Sequence, residues 1–141
     1  MKAQKQLTVA IGLIRDGSGK ILLQKRLDPE IPEAHKKWEF PGGRIDFGES
    51  AEETVVRECR EEVGCEVAVK RLLPHIGSKV WSRTDGVDWH VIVLCYEMSF
   101  ISGTPRPSDK KVSEVAWFSR EEIRGLDTLP GIVDFVSLLD S

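Results

Sequence analysis

The chain has 141 residues, 40% of them hydrophobic and 30% charged, with 20 Lys and Arg against 23 Asp and Glu and a formal net charge of −3. Such a length suits one domain over residues 1–141, and the apolar share is too high for a disordered chain. The slight acidic excess argues against a duplex-nucleic-acid binder, which carries a strong basic surplus; a small phosphorylated ligand needs only a local arrangement.

Thr8 to Ile14 reads as a mostly buried strand, Asp16-Gly17-Ser18-Gly19 as a turn, and Lys20 to Arg26 as a second strand, together a hairpin. Asp28 to Pro32 is a loop. Trp38-Glu39-Phe40 is a brief extended piece stopped at Pro41-Gly42-Gly43, where glycines permit close backbone approach. The clearest helix starts at Ser50: Glu53 completes a capping box, Val55, Val56, Cys59 and Val63 form the apolar stripe, and Gly64 ends it. Glu66 to Val80 reads as extended with a break near Pro74, Trp89 to Phe100 as a strand, and Val112 to Phe118 as the last strand. Ser119 caps a short helix. Beyond Pro130 the chain reads as an amphipathic helix through Ile132, Val133, Val136, Leu138 and Leu139. Strands wrapping few helices give an α/β or α+β sandwich.

Cys59, Cys65 and Cys95 form no CxxC pair and sit among apolar neighbours, so they read as buried small hydrophobes in a reducing compartment, not as a disulfide framework or zinc ligands. The apolar run from Val9 to Ile14 is too short for a signal-peptide core, and no stretch approaches the ~20 residues of a membrane span. A cytoplasmic protein with no membrane partner is expected, monomeric or homodimeric. His35, His75 and His90 are scattered singly and carry no expected catalytic role.

The chemistry lies between Gly42 and Cys65. Glu58 and Glu62 are one helical turn apart on a shared face, with Glu61 about 60° to the side of Glu58. Like charges at this spacing cost local stability, and the macrodipole disfavours anions in the second half of a helix. Two readings stand: a solvated acidic face, or hard oxygen ligands for a cation such as Mg²⁺ that shares its remaining positions with substrate phosphates. Glu52 and Glu53 read as a solvated first turn.

The segment Gly43, Glu49 and Arg57-Glu58-Cys59-Arg60-Glu61-Glu62-Val63-Gly64-Cys65 resembles the Nudix box, G-x5-E-x7-R-E-U-x-E-E-x-G-U with U aliphatic. Cys59 and Cys65 stand at the U positions, a mild departure. The resemblance implies an α/β/α sandwich around a mixed β-sheet and hydrolysis of a nucleoside diphosphate linked to another moiety, with Mg²⁺ or Mn²⁺. Carried onto this chain, it makes Glu58 and Glu62 metal ligands, Glu61 a further ligand and the Gly42 carbonyl the main-chain ligand. Arg57 pairs with Glu49 and orients the acids. Glu58 is favoured as general base, with Asp109 and Glu114 as the other acids near the last strand.

Trp38-Glu39-Phe40-Pro41-Gly42-Gly43 is similar to the segment preceding the box in MutT-type nucleoside triphosphate pyrophosphohydrolases, including oxidised-purine and CTP branches. This resemblance implies a nucleotide substrate cleaved to a nucleoside monophosphate and pyrophosphate. Arg26 is read either as a contact for the substrate phosphates or as a surface cation. Phe40 and Trp38 are candidate walls of the base pocket, and Asp127 a candidate acceptor for a base amine. The neighbouring readings are a nucleotide-sugar or dinucleotide pyrophosphatase, and a non-catalytic nucleotide-binding module.

Overall fold

The computed structural model describes residues 3–139. Its strands are β1 (Ala3–Arg15), β2 (Ile21–Arg26), β3 (Trp38–Glu39), β4 (Gly42–Arg44), β5 (Glu66–Ser82), β6 (Val87–Ser102) and β7 (Val112–Phe118). Its helices are α1 (Ala51–Val63), α2 (Arg120–Arg124) and α3 (Ile132–Val136). The strands form one mixed sheet in the order β3-β2-β1-β6-β5, with β4 added to β1 and β7 to β2.

The turn between β1 and β2 is fixed by Asp16, whose Oδ1 accepts the backbone N–H groups of Ser18 and Lys20, each at 2.9 Å. The expected hairpin exists only at this turn. The two strands pair at Arg15 and Ile21 and then diverge, β1 to run parallel with β6 and antiparallel with β4, β2 to pair with β3 and β7. The Pro41-Gly42-Gly43 stop also turns out to lead into a strand, because β4 lies close against β1. A Cβ at Gly42 would stand 2.3 Å from the Ala10 carbonyl oxygen, so only glycine allows that approach.

Helix α1 begins as its sequence demands: the Ser50 hydroxyl accepts the Glu53 N–H and the Glu53 carboxylate accepts the Ser50 N–H. Gly64 closes it in the left-handed conformation at φ 70°. Val55, Cys59 and Val63 pack on Ala10, Ile14, Leu22 and Met98. On the other side of the sheet, Ile123 of α2 and Ile132, Phe135 and Val136 of α3 cover Leu13, Leu23, Leu73 and Cys95. The result is an α/β/α sandwich around a mixed sheet, the architecture expected.

Strand β7 matches its expected bounds, while β5 and β6 extend past theirs; the irregularity in their pairing between Leu72 and Ile76 brackets Pro74, which has no N–H to give to the ladder. The C-terminal helix is shorter than its apolar spacing suggested. It ends at Val136, and Ser137 to Leu139 follow as a turn, with the Leu138 and Leu139 N–H groups bonding back three residues. All three cysteines are free and buried. Among the described residues no helix is long and apolar enough to cross a membrane.

Candidate active site

The apolar stripe of α1 faces the sheet, which leaves Glu58, Glu61 and Glu62 at the edge of that contact, beside β4. Gly43 makes room for Glu58: a Cβ there would lie 2.5 Å from the carboxyl carbon of that glutamate. Arg57 gathers the acids around it. Its Nε donates to Glu49 Oε2 at 2.8 Å and its Nη2 to Glu49 Oε1 at 3.0 Å, a two-pronged pair, while Nη1 reaches Glu58 Oε1 at 3.1 Å and Glu61 Oε2 at 3.2 Å. The hydrogen bonds from Arg57 and then from Thr54 draw the Glu49 carboxyl down to about 2. Arg57 itself is held firmly cationic, chiefly by Glu49.

Glu62 is turned the other way, accepting the Gly42 N–H on Oε1 at 2.8 Å. Burial pushes its carboxyl up to about 8, with the charge on Glu39 as the next cause and that on Glu58 contributing. Glu58 is also raised, first by burial and then by Glu61 and Asp46, against the opposing pull of Arg57. Among the described residues no three His, Cys, Asp or Glu side chains close into a ready-made metal cage. The donor set nevertheless fits a hard divalent cation. Two raised carboxylates face one cleft in surplus over the cations beside them, and an Mg²⁺-type site uses few protein oxygens and keeps its other positions for water and phosphate.

A cavity of about 780 Å³ opens from this cluster. Its lining combines Glu58, Glu61 and Glu62, Asp109, Lys110 and Lys111 with the aromatic and aliphatic side chains of Trp81, Trp89, Ile31, Leu129 and Phe135. Arg26 borders the cavity, with its guanidinium engaged by Asp28 at 2.7 Å and Glu39 at 3.3 Å. Phe40 also borders it, yet is only 2% exposed and belongs to the core with Leu13 and Leu23, a floor more than a wall. Trp38 is not among the lining residues and stacks edge-on against Phe118.

Asp127 does not reach the cavity: its side chain is 74% exposed and pairs with Lys37 at 2.8 Å, because its loop is pinned through the Trp38 N–H to its own carbonyl. Of the two further acids, Asp109 lines the cavity and Glu114 turns away to Lys25 at 3.6 Å. His35 and His90 are hydrogen-bonded, to the Asp28 N–H and to Gln6 and Ser78. His75, assigned no role from sequence, lines the cavity against Phe135. Gln24 and the part played by Glu39 were also missed; strict alternation along β2 and β3, which puts both side chains on the α1 face, is the signal that could have found them.

A three-layer sandwich thus sets the acid-bearing helix against a glycine strand beside a cleft of about 780 Å³, the arrangement of a Nudix-type domain. The chain belongs to the Nudix family: the profile of the NUDIX domain matches residues 5–136. It is 40% identical over 86 residues to a Mycobacterium tuberculosis (strain CDC 1551 / Oshkosh) protein assigned as mutator protein MutT4, covering 61% of this chain but 34% of that longer one. It is 27% identical over 125 residues, 89% of this chain and 81% of the other, to a protein of M. tuberculosis (strain ATCC 25618 / H37Rv) assigned as 8-oxo-dGTP diphosphatase 2. The crystal structure of a MutT protein from Methanosarcina mazei Go1 superposes with a TM-score of 0.77 at 27% identity, covering 97% of this chain and 94% of that one.

Proposed function

We propose that the protein is an Mg²⁺-dependent nucleoside triphosphate pyrophosphohydrolase that converts a (d)NTP and water to the monophosphate and pyrophosphate, with an oxidised purine or cytidine triphosphate as the substrate class. The observation that carries this reading is the mixed lining of the cleft. Carboxylates and lysines share its lining with aromatic and aliphatic side chains, a mixture that suits a ligand carrying both phosphates and a flat base. The likeness to a relative assigned as an 8-oxo-dGTP diphosphatase supports the oxidised purine.

Glu58, Glu61, Glu62 and the Gly42 carbonyl would hold the cation, with Mn²⁺ as a substitute. When bound, Mg²⁺ neutralises phosphate oxygens and acidifies a coordinated water. The chain supplies the rest. Glu58, raised by burial, takes the proton from the attacking water, and Arg57 holds it in place while leaving its second oxygen free of that contact. Lys110 and Lys111 line the cavity and offset charge on the leaving pyrophosphate. Trp81, Trp89 and Leu129 wall the cavity against water.

Incubation with a panel of canonical and oxidised (d)NTPs, nucleotide-sugars and dinucleotides, with Mg²⁺, tests the reading. Pyrophosphate and monophosphate from a triphosphate support it. Cleavage only of the diphosphate-linked compounds replaces the substrate class, and nucleotide binding without any turnover makes the chain a non-catalytic module.

A further inference from the structure

Strand β2 sends Ile21 and Leu23 into the core beneath α2 and α3, and Leu22 into the core beneath α1. By alternation Gln24 follows Leu22 toward α1. It is 1% exposed, one of three buried polar side chains among the described residues. The other two have plain structural partners: Thr54 bonds Glu49 and the Ser50 carbonyl, and Glu97 meets Arg15, Lys70 and Arg71. Gln24 is different. Its Nε2 donates to Glu39 Oε2 at 2.8 Å, and the amide also draws the Glu62 carboxyl down against the burial that raises it. Its Oε1 has no partner among the described residues.

That orientation is dictated by the acids. Turning the amide over would set its oxygen against the Glu39 carboxylate, so the donors face it and the oxygen goes without. A buried amide oxygen left unpaired is destabilising, and core packing alone would be met better by Leu or Met beside Leu22. The side chain therefore makes sense through the amide it turns toward the acids. Glu39, 15% exposed, is fixed on its other oxygen by Arg26, which Asp28 holds in turn. A chain of hydrogen bonds runs Asp28, Arg26, Glu39, Gln24; Glu62, whose carboxyl both Glu39 and Gln24 influence, accepts the Gly42 N–H on Oε1. Gln24 does not line the cavity and touches no substrate.

We propose that Gln24 is a positioning residue for the cation site: its amide holds Glu39 in place beside Glu62 and so fixes the surroundings from which Glu62 faces the cleft. This rests on the reading that Glu62 holds a divalent cation. Partners that orient a metal-ligating carboxylate change metal affinity about 10–100-fold when removed.

The test uses the full chain and Mn²⁺ alone, with binding followed by electron paramagnetic resonance in the absence of nucleotide. Gln24→Met keeps the volume and removes both donors; Leu22→Met perturbs the same face of the same strand with no polar change. Gln24→Met is expected to weaken Mn²⁺ binding about tenfold or more and to raise the Mg²⁺ concentration for half-maximal turnover in parallel, while Leu22→Met stays near wild type. KM for the triphosphate at saturating Mg²⁺ should move little. Mn²⁺ affinity of Gln24→Met within about twofold of wild type, or an equal loss in Leu22→Met, overturns the proposal. If Gln24→Met does not fold, Gln24→Asn, which withdraws the donors by one methylene, is held to the same criteria. Wild-type protein that binds no Mn²⁺ overturns the cation reading and this proposal with it; turnover of a different substrate class leaves the Mn²⁺ result standing.

Discussion

Replacing Glu62 with Gln removes a charge from a place where the fold tolerates it poorly. The carboxyl is lifted from 4.5 to about 8, mainly by burial and then by Glu39. A folded-state pKa above the unfolded one means that the folded chain holds the proton more tightly, so losing it opposes folding. The cost is absent below about pH 4.5, grows through the interval and is complete above about pH 8. At pH 7 the interval already crossed corresponds to about 3 kcal/mol. Gln is neutral at every pH, and its amide oxygen still accepts the Gly42 N–H, although its NH₂ group now meets the Gln24 amide. The net gain expected in EDTA at pH 7 is therefore about 1–3 kcal/mol, a rise in Tm of roughly 3–8 °C, fading toward pH 4.5. With Mg²⁺ the order changes: wild type gains Tm from the ion and Glu62→Gln does not. Turnover is expected to fall on the order of a hundredfold or more if the proposed cation ligand is gone. Thermal melts from pH 4.5 to 8.5 with EDTA or Mg²⁺, beside a pyrophosphate-release assay, read all of this. Unchanged turnover, or a variant less stable than wild type in EDTA across the whole range, would refute the reasoning.

Gly43→Ala sets a methyl group against the Glu58 carboxyl, the movable end of a flexible side chain; turnover should fall on the order of a hundredfold with circular dichroism unchanged. Glu49, drawn down to about 2, contributes stability that is present above its ordinary value of 4.5 and is lost as pH falls toward 2, so in melts from pH 2.5 to 6 Glu49→Gln should flatten that acid limb. Glu97→Gln withdraws the charge shared by Arg15, Lys70 and Arg71, and should cost about 2–4 kcal/mol in urea denaturation. The thiols of Cys59, Cys65 and Cys95 are all pushed up by burial, so a disulfide exchange reagent should label none of them in the native protein and all three after denaturation.

The parts of the fold written in local signals were legible from sequence. The Ser50 and Ser119 capping boxes, the Gly64 stop and the bounds of the Val112–Phe118 strand depend on residues within a few positions of one another. The splaying of β1 from β2 was not, because both halves are equally apolar and only the glycines of β4, about thirty residues on, make room for a different neighbour of β1. The same division runs through the site. The spacing of Glu58, Glu61 and Glu62 is a local property of one helix. The engagement of Arg26 by Asp28 and Glu39, and the capture of Asp127 by Lys37, depend on which strands meet, so neither set of partners is legible in the local sequence.

That splaying also explains why acids at the edge of a core are tolerated at all. Where β1 leaves β2, β4 comes in beside β1 and presents the Gly42 N–H to Glu62, while β3 beside β2 brings Glu39 up to the Gln24 amide. One backbone donor thus meets Glu62, and one side-chain amide meets Glu39, whose other oxygen is held by Arg26, whereas Glu49, Glu58 and Glu61 on the outer side share Arg57. On both sides the carboxyls outnumber the guanidiniums, and Glu58, Glu61 and Glu62 all border the cleft. A fold seeking stability alone would place Arg or an apolar side chain at Gln24; a neutral donor instead leaves the acids uncancelled, as the proposed cation site requires, while holding Glu39 in register.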